Sequence, residues 1–383
     1  MTTTYAPSAL PVLPAYGVRS LGELLPSVAA ALARQGGERR GPLAFAPVRR
    51  ACVLLVDGLG WHLLAANADI APTLAAAMVD PPLTTAFPST TATSLATLGT
   101  GLPPGSHGIT GVTVKIPGTG TVMNSLTWEN GVDPRLWQPW PTIFERLLAA
   151  GVAVTRVGPA AFDGSGLTEA TLRGGDYVAV DSAGQRAAAI VAALQRGERS
   201  FVYAYHRDLD LTGHVSGCNS LAWREELALV DAVVARIAAL LPPDAALWVT
   251  GDHGMVDVCP DGCIDLADEP DLSAGLTHLA GEPRARHLHT RRGAAEDVLQ
   301  TWRERLGCRA WVCLRAEAVT EGWFGMVEAR VAERIGDVVV AARDGLSVVD
   351  RRVDPPGLRA LVGHHGSLTP AEVEVPLLQW RAG

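Results

Sequence analysis

The run ACVLLVDGLG, residues 51–60, decides the fold. Its first six residues are apolar without alternation, and then the chain breaks at Asp57-Gly-Leu-Gly. A strand with water on one face would alternate, so a short continuous apolar run closed by turn residues reads as a strand buried on both faces of a parallel sheet. The same form recurs in VAVTRVG (152–158), FVYAYH (201–206) and AALWVTG (245–251). Helical periodicity separates them, in TIFERLLAAG, SAGQRAAAIVAALQRG and REELALVDAVVARIAALL, and an earlier helix is expected over Leu21–Gln35. Alternation of this kind predicts an α/β fold with a doubly wound, mostly parallel sheet flanked by helices. After Asp257 the pattern turns to shorter strands and helices (HLHTRRGAAEDVLQTWRERLG, AWVCLRAEAV, EARVAERIG). The expected organisation is a core of residues 1–257 and 346–383 carrying a small inserted α+β cap at 258–345.

The chemistry lies where those strands end. Asp57 follows the first; Asp208 and Asp210 follow the third, with His214 one helical turn on; Asp252 and His253 follow the fourth; His364 and His365 stand in LVGHHGS. In an open α/β sheet, ligands bind beyond the carboxyl ends of the strands, so these groups should converge. Each alone is an ordinary turn, cap or structural residue. Together, mixed carboxylates and imidazoles suit zinc or manganese better than magnesium or calcium, which favour all-oxygen shells. A pair of such ions can ionise a nucleophile and clamp an in-line phosphoryl displacement.

These motifs, in this order, resemble the alkaline phosphatase superfamily, most closely its nucleotide pyrophosphatase/phosphodiesterase branch. FPSTTATSLATLGTGLPPGSHGI (Phe87–Ile109) is similar to that branch's nucleophile segment, DLDLTGH to its D-x-x-G-H element, GDHGM to its GDHG element and GHHGS to its final HG element. The resemblance implies two divalent ions, Zn2+ or Mn2+, one held by Asp57, Asp252 and His253 and the other by Asp210, His214 and His365. It places the nucleophile on Thr91, which also binds metal. The implied reaction is hydrolysis of phosphate diesters or pyrophosphates through a phosphothreonine, with direct attack by water as the rival route. Asp208 and His364 are then secondary.

The sequence departs from the branch in two places. The family follows its nucleophile with Phe-Pro-Asn, whose Phe builds a nucleobase slot; here Ala92-Thr93-Ser94 follow, and Trp128, Trp137 and Trp140 are the aromatic candidates to replace it. The family's phosphoryl-binding Asn comes soon after HGI; here VTVKIPGTGTV reads as an inserted hairpin, and Asn124 in NSLTW is the candidate beyond it. Arg207 and His206 are further candidate substrate contacts.

Within the superfamily a phosphate monoesterase or phosphonate hydrolase is the alternative; a phosphomutase would call for a Ser nucleophile and a larger cap, and a sulfatase for a C-x-P-x-R element. The net charge of −8 supplies no basic footprint for nucleic acid. Apolar residues at 48% and charged residues at 19% describe a globular chain with a substantial core. The six cysteines are scattered without a CxxC pair, no basic leader opens the chain, and no apolar run is long enough to span a bilayer. The expectation is a cytoplasmic enzyme acting on a small phosphorylated substrate, its oligomeric state left open.

Overall fold

The computed structural model describes residues 10–33 and 41–382. Its central sheet has six strands, in spatial order Leu377–Arg381, Ala245–Thr250, Arg50–Val56, Ser200–His206, Ala153–Gly158 and Asp176–Ala179. The last five are parallel and the C-terminal strand is antiparallel to Ala245–Thr250. All four strands read from the apolar runs are present within a residue of their expected ends. The lack of alternation has its cause in the packing. Val53 and Leu55 face one core with Phe144, Phe201 and Trp248, while Cys52, Leu54 and Val56 face another with Trp223, Leu227 and Val234.

Helices Ala183–Leu194 and Leu221–Ala239 cover the second face; Leu24–Leu32, Thr91–Thr100 and Ile143–Ala149 cover the first. The expected N-terminal helix thus runs to Leu32, and the end of its expected span at residues 34–35 lies outside the described residues. Two strands of the central sheet escaped the sequence reading. Asp176–Ala179 is short and half exposed, and Leu377–Arg381 is an edge strand with polar Gln379 and Arg381 in it.

A second six-stranded sheet is antiparallel throughout. Its order is Ala310–Leu314, Val338–Ala342, Ala285–Thr290, Leu276–Glu282, Thr113–Ile116 and Thr121–Asn124. The expected insertion 258–345 supplies four of these strands. The expected hairpin at 113–124 supplies the other two, so this sheet is assembled from two separate parts of the chain. Helix Ala295–Leu306 packs on it through the buried Trp302. Among the described residues no helix is long and apolar enough to cross a membrane, and the cysteines are free.

The helix beginning at Thr91 is fixed by close backbone contact. A methyl group on Gly99 would lie 1.8 Å from the Thr171 carbonyl oxygen, so only glycine lets the helix approach Gly166–Thr171. Gly99→Ala should therefore destabilise the protein by about 1–3 kcal/mol, the usual cost of overpacking, as a lowered midpoint in thermal unfolding followed by circular dichroism. An unchanged midpoint would mean this contact is not tight in solution.

Candidate active site

Each expected residue is delivered by a strand end or the loop after it. Asp57 is the first residue beyond Arg50–Val56, and its N–H donates to the His206 carbonyl of the neighbouring strand. Gly58 follows at φ 73°, where a Cβ would come within 3.0 Å of the Asp210 backbone, so the turn that carries Asp57 can reach Asp210 only as glycine. Asp252 is fully buried and held by two backbone donors, the Gly58 and His253 N–H groups, both 3.1 Å from Oδ1. Asp210 and His214 lie one turn apart on helix Asp208–Ser216, with His214 Nε2 3.2 Å from Asp210 Oδ2.

Two sets of side chains result, and they abut. His253 Nε2 lies 3.4 Å from Asp57 Oδ1 and 3.6 Å from Asp252 Oδ2. His365 Nε2 lies 3.3 Å from His214 Nε2 and 3.8 Å from Asp210 Oδ1. The rings of His253 and His365 stack at 3.5 Å between centroids, joining the sets. Thr91 Oγ1 stands 3.2 Å from His253 Nε2, at the first turn of helix Thr91–Thr100. The chain therefore brings Asp57, Thr91, Asp210, His214, Asp252, His253 and His365 together.

The electrostatics of this cluster are those of a cation site. All three imidazoles turn Nδ1 onto a backbone carbonyl, His214 to Gly363 at 2.7 Å, His253 to Gly254 at 3.1 Å and His365 to Ser89 at 2.9 Å. With Nδ1 donating to a carbonyl, Nε2 of each ring faces inward, and at His214 the adjacent Asp210 carboxylate, against the cost of burial, holds the imidazole above its ordinary range. Three carboxylate oxygens, Asp57 Oδ1, Asp210 Oδ1 and Asp252 Oδ2, are buried without a hydrogen-bond partner. Burial first, and then repulsion from Asp252 and Asp210, holds the Asp57 carboxyl well above the ordinary carboxylate range, and burial also raises Asp252. Lone pairs and orphaned carboxylate oxygens converging on one small volume call for positive charge. The donor set fits divalent ions of the zinc or manganese kind.

Most other hydroxyls of the run around Thr91 are structural, whereas Thr90 Oγ1 and Thr93 Oγ1 are buried without a partner. Ser94 Oγ meets Thr85 Oγ1 at 2.8 Å, Thr97 Oγ1 meets His107 Nε2 at 3.0 Å, Thr100 donates to Ala96, and Ser89 donates to Ser367. Ser89 thus braces the loop whose carbonyl orients His365.

Beside Thr91 opens a cavity of ≈ 520 Å³. Asn124, last residue of the hairpin, lines it; its Oδ1 accepts from the Leu126 N–H at 2.8 Å, which leaves the amide nitrogen as the group that can donate. Arg207 also lines it, its Nε 3.2 Å from Asp208 Oδ1. Trp128 does not. Its ring covers Gly166 and its indole N–H donates to Val132, so it is a packing residue rather than a substrate contact. Trp137 lies under the Arg334 guanidinium at 3.5 Å and Trp140 donates to Glu328, so neither replaces the missing aromatic slot. His206 is bound to Arg186 and Glu226, away from the cavity, whereas His364 lines it.

Several lining residues were not singled out in the sequence. The Tyr205 phenol donates to Asp57 Oδ2, fixing that carboxylate. Phe162, Tyr177, Arg156 and Glu282 line the cavity as well. Arg156 was legible in principle: apart from His206, it is the only charged side chain in the four apolar runs.

A central parallel-rich sheet with this residue set at its strand ends defines an alkaline-phosphatase-like hydrolase. The sequence model of the type I phosphodiesterase / nucleotide pyrophosphatase family matches residues 51–368, and the chain belongs to that family. Among solved structures, murine ectonucleotide pyrophosphatase / phosphodiesterase 5 superposes with a TM-score of 0.69 at 19% identity, over 87% of this chain and 88% of that one. An inactive threonine-to-alanine variant of it in complex with AMP gives 0.70, also at 19% identity and with the same coverage of both chains. The human protein gives 0.69, again at 19% identity, over 87% of this chain and 88% of that one. No curated protein matches the sequence.

Glu282 ends strand Leu276–Glu282 and lines the cavity, with Oε2 accepting from the Val112 N–H at 3.0 Å and Oε1 unpartnered. Burial pushes its carboxyl up to about 8 from an ordinary 4.5. An acid whose folded value is raised gives stability that is complete below the unfolded value and is lost as pH rises toward the folded one. Unfolding midpoints of the wild type should accordingly fall between pH 4.5 and about 8, and Glu282→Gln, which has no proton to lose, should fall less over that interval. Parallel curves for the two proteins would remove Glu282 as the cause.

Proposed function

We propose that this chain hydrolyses a phosphate diester or pyrophosphate with two divalent ions, zinc or manganese, and Thr91 as nucleophile. Asp57, Asp252 and His253 would hold one ion, and Asp210, His214 and His365 the other, with Thr91 between. The observation that carries the reading is the gathering of three inward Nε2 atoms and three unpartnered carboxylate oxygens in one cluster, with the Thr91 hydroxyl 3.2 Å from His253 Nε2. When bound, the ions supply the charge that favours an ionised hydroxyl and offsets the phosphoryl oxygens.

The protein supplies position. Thr91 sits at N1 of a ten-residue helix, where the free backbone N–H groups and the helix dipole favour a phosphoryl group. Asn124 lines the same cavity, and its amide nitrogen would donate to a phosphoryl oxygen. Attack by Thr91 Oγ1 forms a P–O bond as the bond to the leaving alcohol breaks, and water then cleaves the phosphothreonine to restore the threonine. Tyr205, donating to Asp57, keeps that carboxylate from rotating away. The ≈ 520 Å³ cavity favours a diester over a monoester, since a phosphoryl group alone needs no such space for a second ester arm. The AMP complex of the murine protein supports a small phosphorylated molecule as the ligand class. With Ala92 buried after the nucleophile and no tryptophan in the cavity, any stacking on the substrate would fall to Phe162 and the cavity tyrosines.

Hydrolysis of bis-p-nitrophenyl phosphate and p-nitrophenyl phosphate by the purified protein tests this directly. The diester should turn over faster, chelation should abolish the activity and added Zn2+ or Mn2+ should restore it. Thr91→Ala should lower kcat by about three orders of magnitude or more. Absence of metal-dependent turnover would overturn the reading; preference for the monoester would make the chain a monoesterase; full activity of Thr91→Ala would leave direct attack by water.

A further inference from the structure

The parallel register sets Tyr177, Arg156 and Tyr203 side by side across three strands, on the sheet face that floors the cavity. Arg156 is 7% exposed and forms no ion pair among the described residues. Its Nη2 donates to the Gly175 carbonyl at 3.2 Å, and its guanidinium lies 5.4 Å from the Tyr177 ring centroid. Nε and Nη1 have no partner, and neither does the Tyr203 hydroxyl beside them.

Three other buried arginines are paired with carboxylates. Arg284 meets both oxygens of Glu372 and carbonyls besides, Arg286 meets Asp354 and the Val348 carbonyl, and Arg173 meets Glu145 and carbonyls. Arg186 and Arg334 each leave one nitrogen unpartnered, but neither lines the cavity. A buried charge without a partner costs several kcal/mol, and a guanidinium presents a rigid fork matched to a carboxylate or phosphate. An orphaned pair of guanidinium donors that lines a ligand cavity is a binding group awaiting an anion.

The position fits the second arm of a substrate. Tyr205, two residues on from Tyr203, reaches Asp57 at the mouth of the cluster. At roughly 3.3 Å per residue along a strand, the Arg156 row lies about 7 Å deeper than the Tyr205 backbone. Leu95, Phe162, Leu167 and Leu172 line the same cavity, so the intervening space suits an apolar or aromatic spacer.

We propose that Arg156 is a specificity-determining residue that receives an anionic group, a carboxylate or a phosphate, on the arm of the substrate that enters the cavity, with the Tyr203 hydroxyl donating beside it. The proposal rests on the reading that Thr91 and its neighbours hydrolyse an ester in this site. The substrate class is then a phosphodiester or pyrophosphate whose apolar arm ends in an anion.

The test compares p-nitrophenyl esters of phenyl phosphate whose second ring carries hydrogen, a para carboxylate or a para phosphonomethyl group, using the full chain loaded with Zn2+. The readout is the ratio of kcat/KM for each anionic ester to the neutral one. In the wild type at least one ratio should exceed about tenfold, equivalent to about 1.4 kcal/mol; which anion is favoured assigns the group. Arg156→Gln should bring the ratio to about one, and Arg156→Lys, which keeps a point charge without the fork, should leave it between the two. A wild-type ratio near one, or a high ratio that survives in Arg156→Gln and is lost in Arg207→Gln, overturns the proposal. If Arg156→Gln does not fold, the Arg156→Lys ratio decides: equality with wild type overturns the role of the fork. Should no ester turn over, the hydrolase reading falls, and the same molecules become inert ligands whose ratio of Kd values, by calorimetry, tests Arg156 on its own.

Discussion

Three aspartates buried within contact of a common volume repel one another and have too few hydrogen-bond donors to satisfy their oxygens. That constraint organises the molecule around the site. Asp57, Asp210 and Asp252 come from three adjacent strands of the central sheet, and parallel strands necessarily deliver their ends to the same edge. The protein meets part of the demand itself, with Tyr205 on Asp57 and two backbone N–H groups on Asp252. It leaves one oxygen of each aspartate without a partner. The imidazoles relieve this charge only in part: His214 Nε2 pairs with Asp210 Oδ2, while all three rings turn Nδ1 to the carbonyls of Gly254, Gly363 and Ser89. What remains is a volume lined by lone pairs, and its natural complement is cationic.

The same constraint explains why glycine surrounds the cluster. Bringing three strand ends within ligand distance forces backbone against backbone, so the turn at Gly58 has no room for a Cβ against Asp210. Gly99 answers the corresponding demand on the other side, seating the Thr91 helix against Thr171. Ser94, Thr97 and Thr100 of that helix close their hydrogen bonds within the packing, and Thr93 is buried without a partner. Thr91, at the exposed first turn, is the one that meets the imidazole cluster. A run of similar hydroxyls is differentiated by position alone.

What could be read in the sequence follows from these facts. The central strands were legible because a strand buried on both faces must be apolar throughout, and the cluster was legible because its residues sit at the abrupt ends of those runs. The cavity was not. Its walls come from the hairpin at 113–124, the cap strand ending at Glu282, the edge of the central sheet and the loop around Leu358, segments whose proximity depends on how two sheets pack. Trp128 illustrates the failure: an aromatic residue near the candidate Asn124 was a reasonable wall for a base, yet its ring is used to cover Gly166. The hairpin was recognised as a local turn, but nothing local says that its partner is Leu276–Glu282.

Arg156 shows where the boundary between legible and hidden information lies. A charged residue inside VAVTRVG contradicts the rule that made the run a strand, and local conflicts of this kind in natural proteins mark functional positions. The contradiction was visible in the sequence; its meaning was not, because an arginine in a buried strand can be neutralised by any carboxylate the fold brings near. Arg284 and Arg286 are neutralised in that way, by Glu372 and Asp354. Only the absence of such a partner among the described residues, together with a cavity on the same face, separates Arg156 from them. The cluster at the strand ends demands cations, and the row beneath it demands an anion. A substrate that satisfies both must carry negative charge at two points, the phosphorus and the far end of its arm. That charge spacing is the feature by which this cavity would select its ligand.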